Sequence, residues 1–174
     1  MKNHFELLGL APAFALEPAQ LDRAYRDIQS KIHPDRFAHA GDAERRASMQ
    51  WTTQVNEAYR TLKSPVQRAK YLLELNGVDV GFETDTAMPA DFLVEQMELR
   101  ENLEQARDVE TLGLIRKSLM ADKKTIEMQI AERIDSTHDH AGAKELVRKL
   151  MFLERFDEDI DAAYEVIEAR SPEG

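Results

Sequence analysis

Apolar positions recur at three- and four-residue intervals almost from end to end of the 174 residues, the period of helices with one buried face. No segment alternates apolar and polar side chains over the length of a strand. Asn3 followed by Glu6 has the spacing of a capping box and predicts a short first helix that stops at Gly9. Pro18 opens a second helix in which Leu21, Ala24, Tyr25, Ile28 and Ile32 share a face, while Arg23, Arg26 and Ser30 share the opposite one with Lys31 at its flank. Asp42 is placed to cap a third helix whose apolar side holds Ala47, Trp51, Val55, Ala58, Tyr59 and Leu62. Ser64-Pro65-Val66-Gln67 combines a helix stop, a proline start and a second capping box. The fourth helix runs to about Asn76 and buries Val66, Ala69, Leu72 and Leu73.

Residues 77–89 have no helical period and read as a linker, with Pro89 as the first position of the next helix. Three longer helices follow, over roughly 90–107, 108–135 and 141–169. Asp108 is the expected N-cap of the middle one, and Ser136-Thr137-His138-Asp139-His140 is the polar loop after it. Leu112, Leu119 and Ile126 repeat by sevens, as do Leu146, Leu153, Ile160 and Ile167. Short loops with heptad seams predict an antiparallel three-helix bundle. The expectation is an all-α protein of two units, 1–76 and 90–170.

Charge separates the same two units. Residues 1–75 carry 11 basic and 9 acidic side chains, whereas 76–174 carry 12 basic and 24 acidic, so the two halves face different partners. A net charge of −10 argues against a nucleic-acid binder, because phosphate neutralisation needs a basic face. Having no Cys excludes disulfides, thiolate zinc sites and a cysteine nucleophile. The polar start Met1-Lys2-Asn3-His4 does not read as a signal peptide, and no apolar run is long enough for a membrane span, so cytoplasm is the expected compartment.

His33-Pro34-Asp35 lies between the second and third helices, directly beyond the basic face. A fixed proline between imidazole and carboxylate presents two polar tips at a helix-loop corner, suited to hydrogen bonding with a partner. The plain alternative is a turn in which Pro34 stops the helix and Asp35 caps. Likewise, the arginines could form a solvated face neutralised by Asp22 and Asp27.

The helix from residue 90 carries two apolar stripes. Taking Phe92 as zero at about 100° per residue, Leu99, Leu103 and Ala106 fall within about 40° of it. Leu93, Met97 and Val94 fall near 100°, 140° and 200°, bordered by Glu104, Glu101 and Glu98. An aliphatic patch rimmed by carboxylates has the form of a partner site, apolar anchors giving affinity and charges orientation. The alternative is that this second stripe packs on the first unit or the fourth helix. Phe156 reads as core; Phe152 suits a core role and a partner contact equally. His138 and His140 could ligate a metal only with distant partners, and a solvated loop explains them as well.

Phe5-Glu6-Leu7-Leu8-Gly9-Leu10, His33-Pro34-Asp35 and Asn56-Glu57-Ala58-Tyr59-Arg60-Thr61-Leu62 with Pro65 and Arg68 resemble a J-domain in order and spacing. Arg68-Ala69-Lys70-Tyr71-Leu72-Leu73, residues 92–101 and Val147-Arg148-Lys149-Leu150-Met151-Phe152-Leu153 resemble the HscB family, the J-type co-chaperones of bacterial iron–sulfur cluster assembly. The resemblance implies a two-ended, non-enzymatic adaptor without cofactor. His33, Pro34 and Asp35 would stimulate the ATPase of a DnaK-class, HscA-type chaperone, with Tyr25, Arg26, Lys31 and Arg36 contacting it. Leu93, Val94, Met97, Glu98, Glu101 and Phe152 would hold the scaffold protein IscU, which carries the cluster. Lacking cysteine, the chain is without the zinc segment of some larger relatives, and a monomer of the bacterial type is expected.

Overall fold

A computed structural model describes residues 2–81 and 88–170. Among these the chain is all helix: α1 (His4–Leu8), α2 (Pro18–Ile32), α3 (Asp42–Lys63), α4 (Pro65–Leu75), α5 (Ala90–Gln105), α6 (Val109–Ala131) and α7 (His140–Arg170). A single-turn 3-10 helix, Pro34–Phe37, follows α2, and a π-helical turn, Glu132–Ser136, follows α6.

Local chemistry sets most of the boundaries. The Asn3 side chain accepts from Glu6 N while Glu6 accepts from Asn3 N, both at 2.9 Å, and Gly9 ends α1 in the left-handed conformation at φ 67°. Ser64 Oγ accepts from Gln67 N at 3.2 Å, but the Ser64 N–H turns back to Arg60 O, so the expected second box closes on one side only. Asp108 caps α6 through Thr111 N at 2.7 Å. Two expected starts move by one residue. Gly41 occupies the cap position of α3 and Asp42 lies inside, paired with Arg45; Pro89 occupies the cap position of α5.

The apolar face of α3 is shorter than its periodicity predicts. Val55, Ala58 and Leu62 are fully buried, but Ala47 and Trp51 are exposed. Helix α3 has 22 residues and α2 has 15, and α2 ends at Ile32, opposite the buried Ser48, whose hydroxyl donates to Ile32 O at 2.6 Å. Facing elements therefore run out before the first turns of α3 are covered.

Helices α6 and α7 form a long hairpin, with α5 laid along it through Phe92, Leu99, Leu103 and Ala106. One hydrophobic core runs through both halves of the chain: Phe5, Leu62 and Leu73 share it with Ile130, Ile134, Val147 and Leu150. The stretch expected as linker is packed where it leaves α4. Val80 is 2 % exposed, its carbonyl accepts from Arg148 Nε at 3.0 Å, and Val78 lies against the core; residues 82–87 lie outside the described residues.

Two polar contacts tie the halves together at the edge of this core. The extra residue in the π-helical turn carries Asp135 against the loop before α2, where its carboxylate accepts from Phe14 N at 2.7 Å and Ala15 N at 2.8 Å. Arg68 is buried beneath that loop and donates to Phe14 O at 2.8 Å and Leu62 O at 2.6 Å, its guanidinium 5.0 Å from the Phe14 ring. Burial pushes this guanidinium below its ordinary pKa, with Glu127 and Asp135 opposing the shift.

Candidate functional site

His33 closes α2 through its N–H to Gln29 O at 3.0 Å, then leaves the helix at φ −54°, ψ 132°. Pro34, with no N–H to satisfy and φ preset, begins the 3-10 turn. The His33 Nδ1 atom accepts from Asp35 N at 3.3 Å, which places the proton of the neutral ring on Nε2. Its Asp35 partner leaves the carboxylate 90 % exposed, 3.5 Å from Nδ1. Imidazole and carboxylate thus stand outward at one corner, braced by a backbone that needs no other element. Arg36 Nη1 donates to Ser30 O at 2.7 Å, which folds the loop back along the end of α2.

Arg23, Arg26 and Lys31 all lie on the exposed side of α2. Among the described residues no carboxylate forms an ion pair with them. Asp22 is turned the other way, accepting from Tyr59 OH at 2.8 Å and lying 3.9 Å from Lys63 Nζ. Cations are consequently available along the face that leads to the His33 corner. Tyr25 occupies a different place: it is half-buried in the α2–α3 seam, stacked on Tyr59 at 4.1 Å, and its hydroxyl joins Asn56 Oδ1 at 2.8 Å and Gln29 Nε2 at 2.7 Å.

On α5 the two stripes separate in space as their angles predict. Phe92 is 2 % exposed, whereas Leu93, Val94 and Met97 are 46 %, 55 % and 70 % exposed. Neither the first unit nor α4 covers them. Glu98, Glu101 and Glu104 are exposed beside the patch, with Gln105 Nε2 donating to Glu101 Oε1 at 3.2 Å. Phe152 is half-buried between the two roles: it meets Phe92 edge-on at 5.6 Å and Phe156 face-on at 6.0 Å, and the Arg100 guanidinium lies 5.7 Å from its ring. Phe156 itself is fully buried.

His138 and His140 stack with centroids 6.3 Å apart; His138 Nδ1 lies 3.0 Å from Ile134 O, and Asp139 holds Gly142 N and Arg133. Among the described residues no three His, Cys, Asp or Glu side chains converge on a metal position, and no helix is long and apolar enough to cross a membrane.

Asp135 and the burial of Arg68 were not foreseeable from helical period. One signal was present in the sequence: an aspartate near the C-terminal end of a helix opposes the helix dipole, so it needs a specific donor elsewhere.

Two family models match in chain order, DnaJ domain over residues 3–71 and HSCB C-terminal oligomerisation domain over residues 88–161. A co-chaperone protein HscB homolog of Burkholderia vietnamiensis is 48% identical over 169 residues, covering 95% of this chain and 96% of the relative. The crystal structure of human co-chaperone HscB superimposes with a TM-score of 0.89 at 30% identity, covering 93% of this chain and 82% of that one. Chaperone HscB from Vibrio cholerae gives a TM-score of 0.83 at 32% identity, covering 95% and 99%. Because near-half identity runs through both units rather than one, the chain belongs to the HscB family of J-domain co-chaperones.

Proposed function

We propose that the chain is an adaptor in iron–sulfur protein maturation, acting in the cytoplasm and itself making or breaking no bond. His33, Pro34 and Asp35, reached over the basic face of Arg26 and Lys31 with Arg36, dock on the ATP state of a DnaK-class, HscA-type chaperone and stimulate its ATPase. For this to accelerate hydrolysis, the corner must bind the hydrolysis-competent state more tightly than the resting one. The cations steer the encounter over a range of about 8 Å at physiological salt. Tyr25 contributes through its ring edge at the α2–α3 seam.

At the other end Leu93, Val94 and Met97, with Glu98 and Glu101 beside them and Phe152 behind, hold an IscU-type scaffold as client. The observation that supports this reading best is the pair of outward features on one shared core. A polar corner and an apolar, carboxylate-edged patch both stand free of intramolecular partners, and the packing that joins the units fixes them relative to one another.

The test uses the full chain, since residues 77–170 alone would expose core positions such as Ile130, Ile134 and Val147. His33→Gln abolishes stimulation of HscA-type ATPase turnover while far-UV circular dichroism and IscU binding stay unchanged. Leu93→Ala with Met97→Ala weakens IscU binding in titration calorimetry, each anchor contributing roughly 1–3 kcal/mol. Unaltered calorimetry for that double variant removes the client patch. Full IscU binding with no effect of IscU on turnover favours a J-protein serving another client.

A further inference from the structure

We propose that the C-terminal unit also binds a second copy of this chain, the α5 stripe of one copy docking on the outer face of α6 in the other. Helix α6 buries Leu112, Leu119 and Ile130 and turns a different set outward. Taking Leu112 as zero at about 100° per residue, Met120 lies near 80°, Lys124 near 120°, Lys117 near 140°, Met128 near 160° and Leu114 near 200°. Leu114 and Met128 are 66 % and 65 % exposed, and Met120 is 44 % exposed. Both lysines are exposed, and among the described residues no carboxylate pairs with either. The cations of α6 that are paired, Arg116 and Lys123, turn instead toward Asp157 on α7.

This face is the counterpart of the stripe on α5. One is apolar with carboxylates, the other apolar with ammonium groups, inside a half-chain of 24 acidic and 12 basic residues in which free cations are scarce. Their dimensions agree: Lys117 and Lys124 are separated along their helix by about 10 Å, and Glu98 to Glu104 spans about 9 Å. Met side chains on both faces supply adaptable apolar contact. The net charge of −10 opposes association at long range, but that repulsion is screened beyond about 8 Å in physiological salt, whereas close carboxylate–ammonium pairs in the contact are screened less.

The two faces lie on different helices, so the contact is heterologous: a copy that gives its α5 stripe keeps its own α6 face free. A docked copy covers Leu93, Val94 and Met97, so self-association and client binding exclude each other. Under this scheme the monomer expected from the sequence is the dilute end of an equilibrium.

Sedimentation of the full chain alone, over a concentration series in physiological salt, tests the contact. The weight-average mass of the wild type rises with concentration. Lys117→Glu with Lys124→Glu stays monomeric, and so does Leu93→Ala with Met97→Ala. Mixed together, the two variants form a one-to-one pair and stop there, because one supplies an intact α5 stripe and the other an intact α6 face. That rescue also shows that both are folded. A wild type that is monomeric at every concentration, a variant that associates as the wild type does, or a mixture that fails to pair each overturns the proposal. No client is present in these samples, so their failure leaves the client reading standing.

Discussion

Replacing Asp135 by alanine removes the acceptor that joins the α6–α7 hairpin to the loop before α2. Two hydrogen bonds are lost, from Phe14 N at 2.7 Å and Ala15 N at 2.8 Å. Their costs differ. Phe14 is 3 % exposed, so its N–H finds no water and the loss is about 1.5–3 kcal/mol, the range for a buried donor deprived of a charged acceptor. Ala15 is exposed, and solvent replaces most of its bond, leaving at most about 0.5–1 kcal/mol. Arg68 also loses a neighbouring carboxylate, a smaller term across a partly wet edge. The sum is about 3 kcal/mol, or roughly 6–12 °C in Tm for a chain of this length. Asp135→Asn keeps one acceptor and should lose about half as much. Urea unfolding followed by circular dichroism in the far ultraviolet reads the effect, and a single transition is expected because one core runs through both units. An unchanged midpoint for Asp135→Ala would refute the tie, and a wild type unfolding in two separate steps would refute the shared core.

Other expectations follow from the same geometry. His4 stacks on Tyr71 at 4.3 Å, and burial lowers its pKa, with Glu57 opposing. The folded chain therefore takes up a proton less readily than the unfolded one, so stability is fully present above the unfolded value of 6.5 and declines as pH falls below it. Thermal melts at about pH 7.5 and about pH 5.5 should differ less in His4→Gln than in the wild type; equal differences would exclude this contribution. Gly142→Ala would ordinarily add about 1 kcal/mol in a helix. Here the new methyl group meets the Asp139 carboxylate and the Arg133 guanidinium, so the Asp139 cap on Gly142 N has to move and no rise in Tm is expected. A gain of the full propensity difference would contradict the packing. Tyr25→Phe should cost about 1 kcal/mol by chemical denaturation, through its bonds to Asn56 and Gln29, yet leave ATPase stimulation intact. Lost stimulation in a fully stable variant would place the hydroxyl in the partner contact instead.

Where structure follows from neighbours in sequence, the chain could be read directly. The Asn3–Glu6 box, the left-handed Gly9 and the Asp108 cap depend on atoms three or four residues away, and each formed as the sequence indicates. The two stripes of α5 were legible because angle alone separates Phe92 from Leu93 and Met97. Periodicity fails where the length of a neighbour decides. It places Ala47 and Trp51 on the apolar side of α3, but not that α2 stops short of them. It also cannot supply partners more than fifty residues distant. Arg68 reads as an ordinary cation on α4 until Phe14 O is laid over it, and Val80 as part of a loop until Arg148 reaches its carbonyl.

Trp51 is the chain's one tryptophan, and it is 45 % exposed on α3, away from the packed interior. Its emission therefore starts from a largely hydrated environment and changes little when the fold melts, which makes intrinsic fluorescence a poor thermometer for this protein. The same indole is well placed to shift to the blue whenever another macromolecule settles over the first turns of α3 and drives water from its ring.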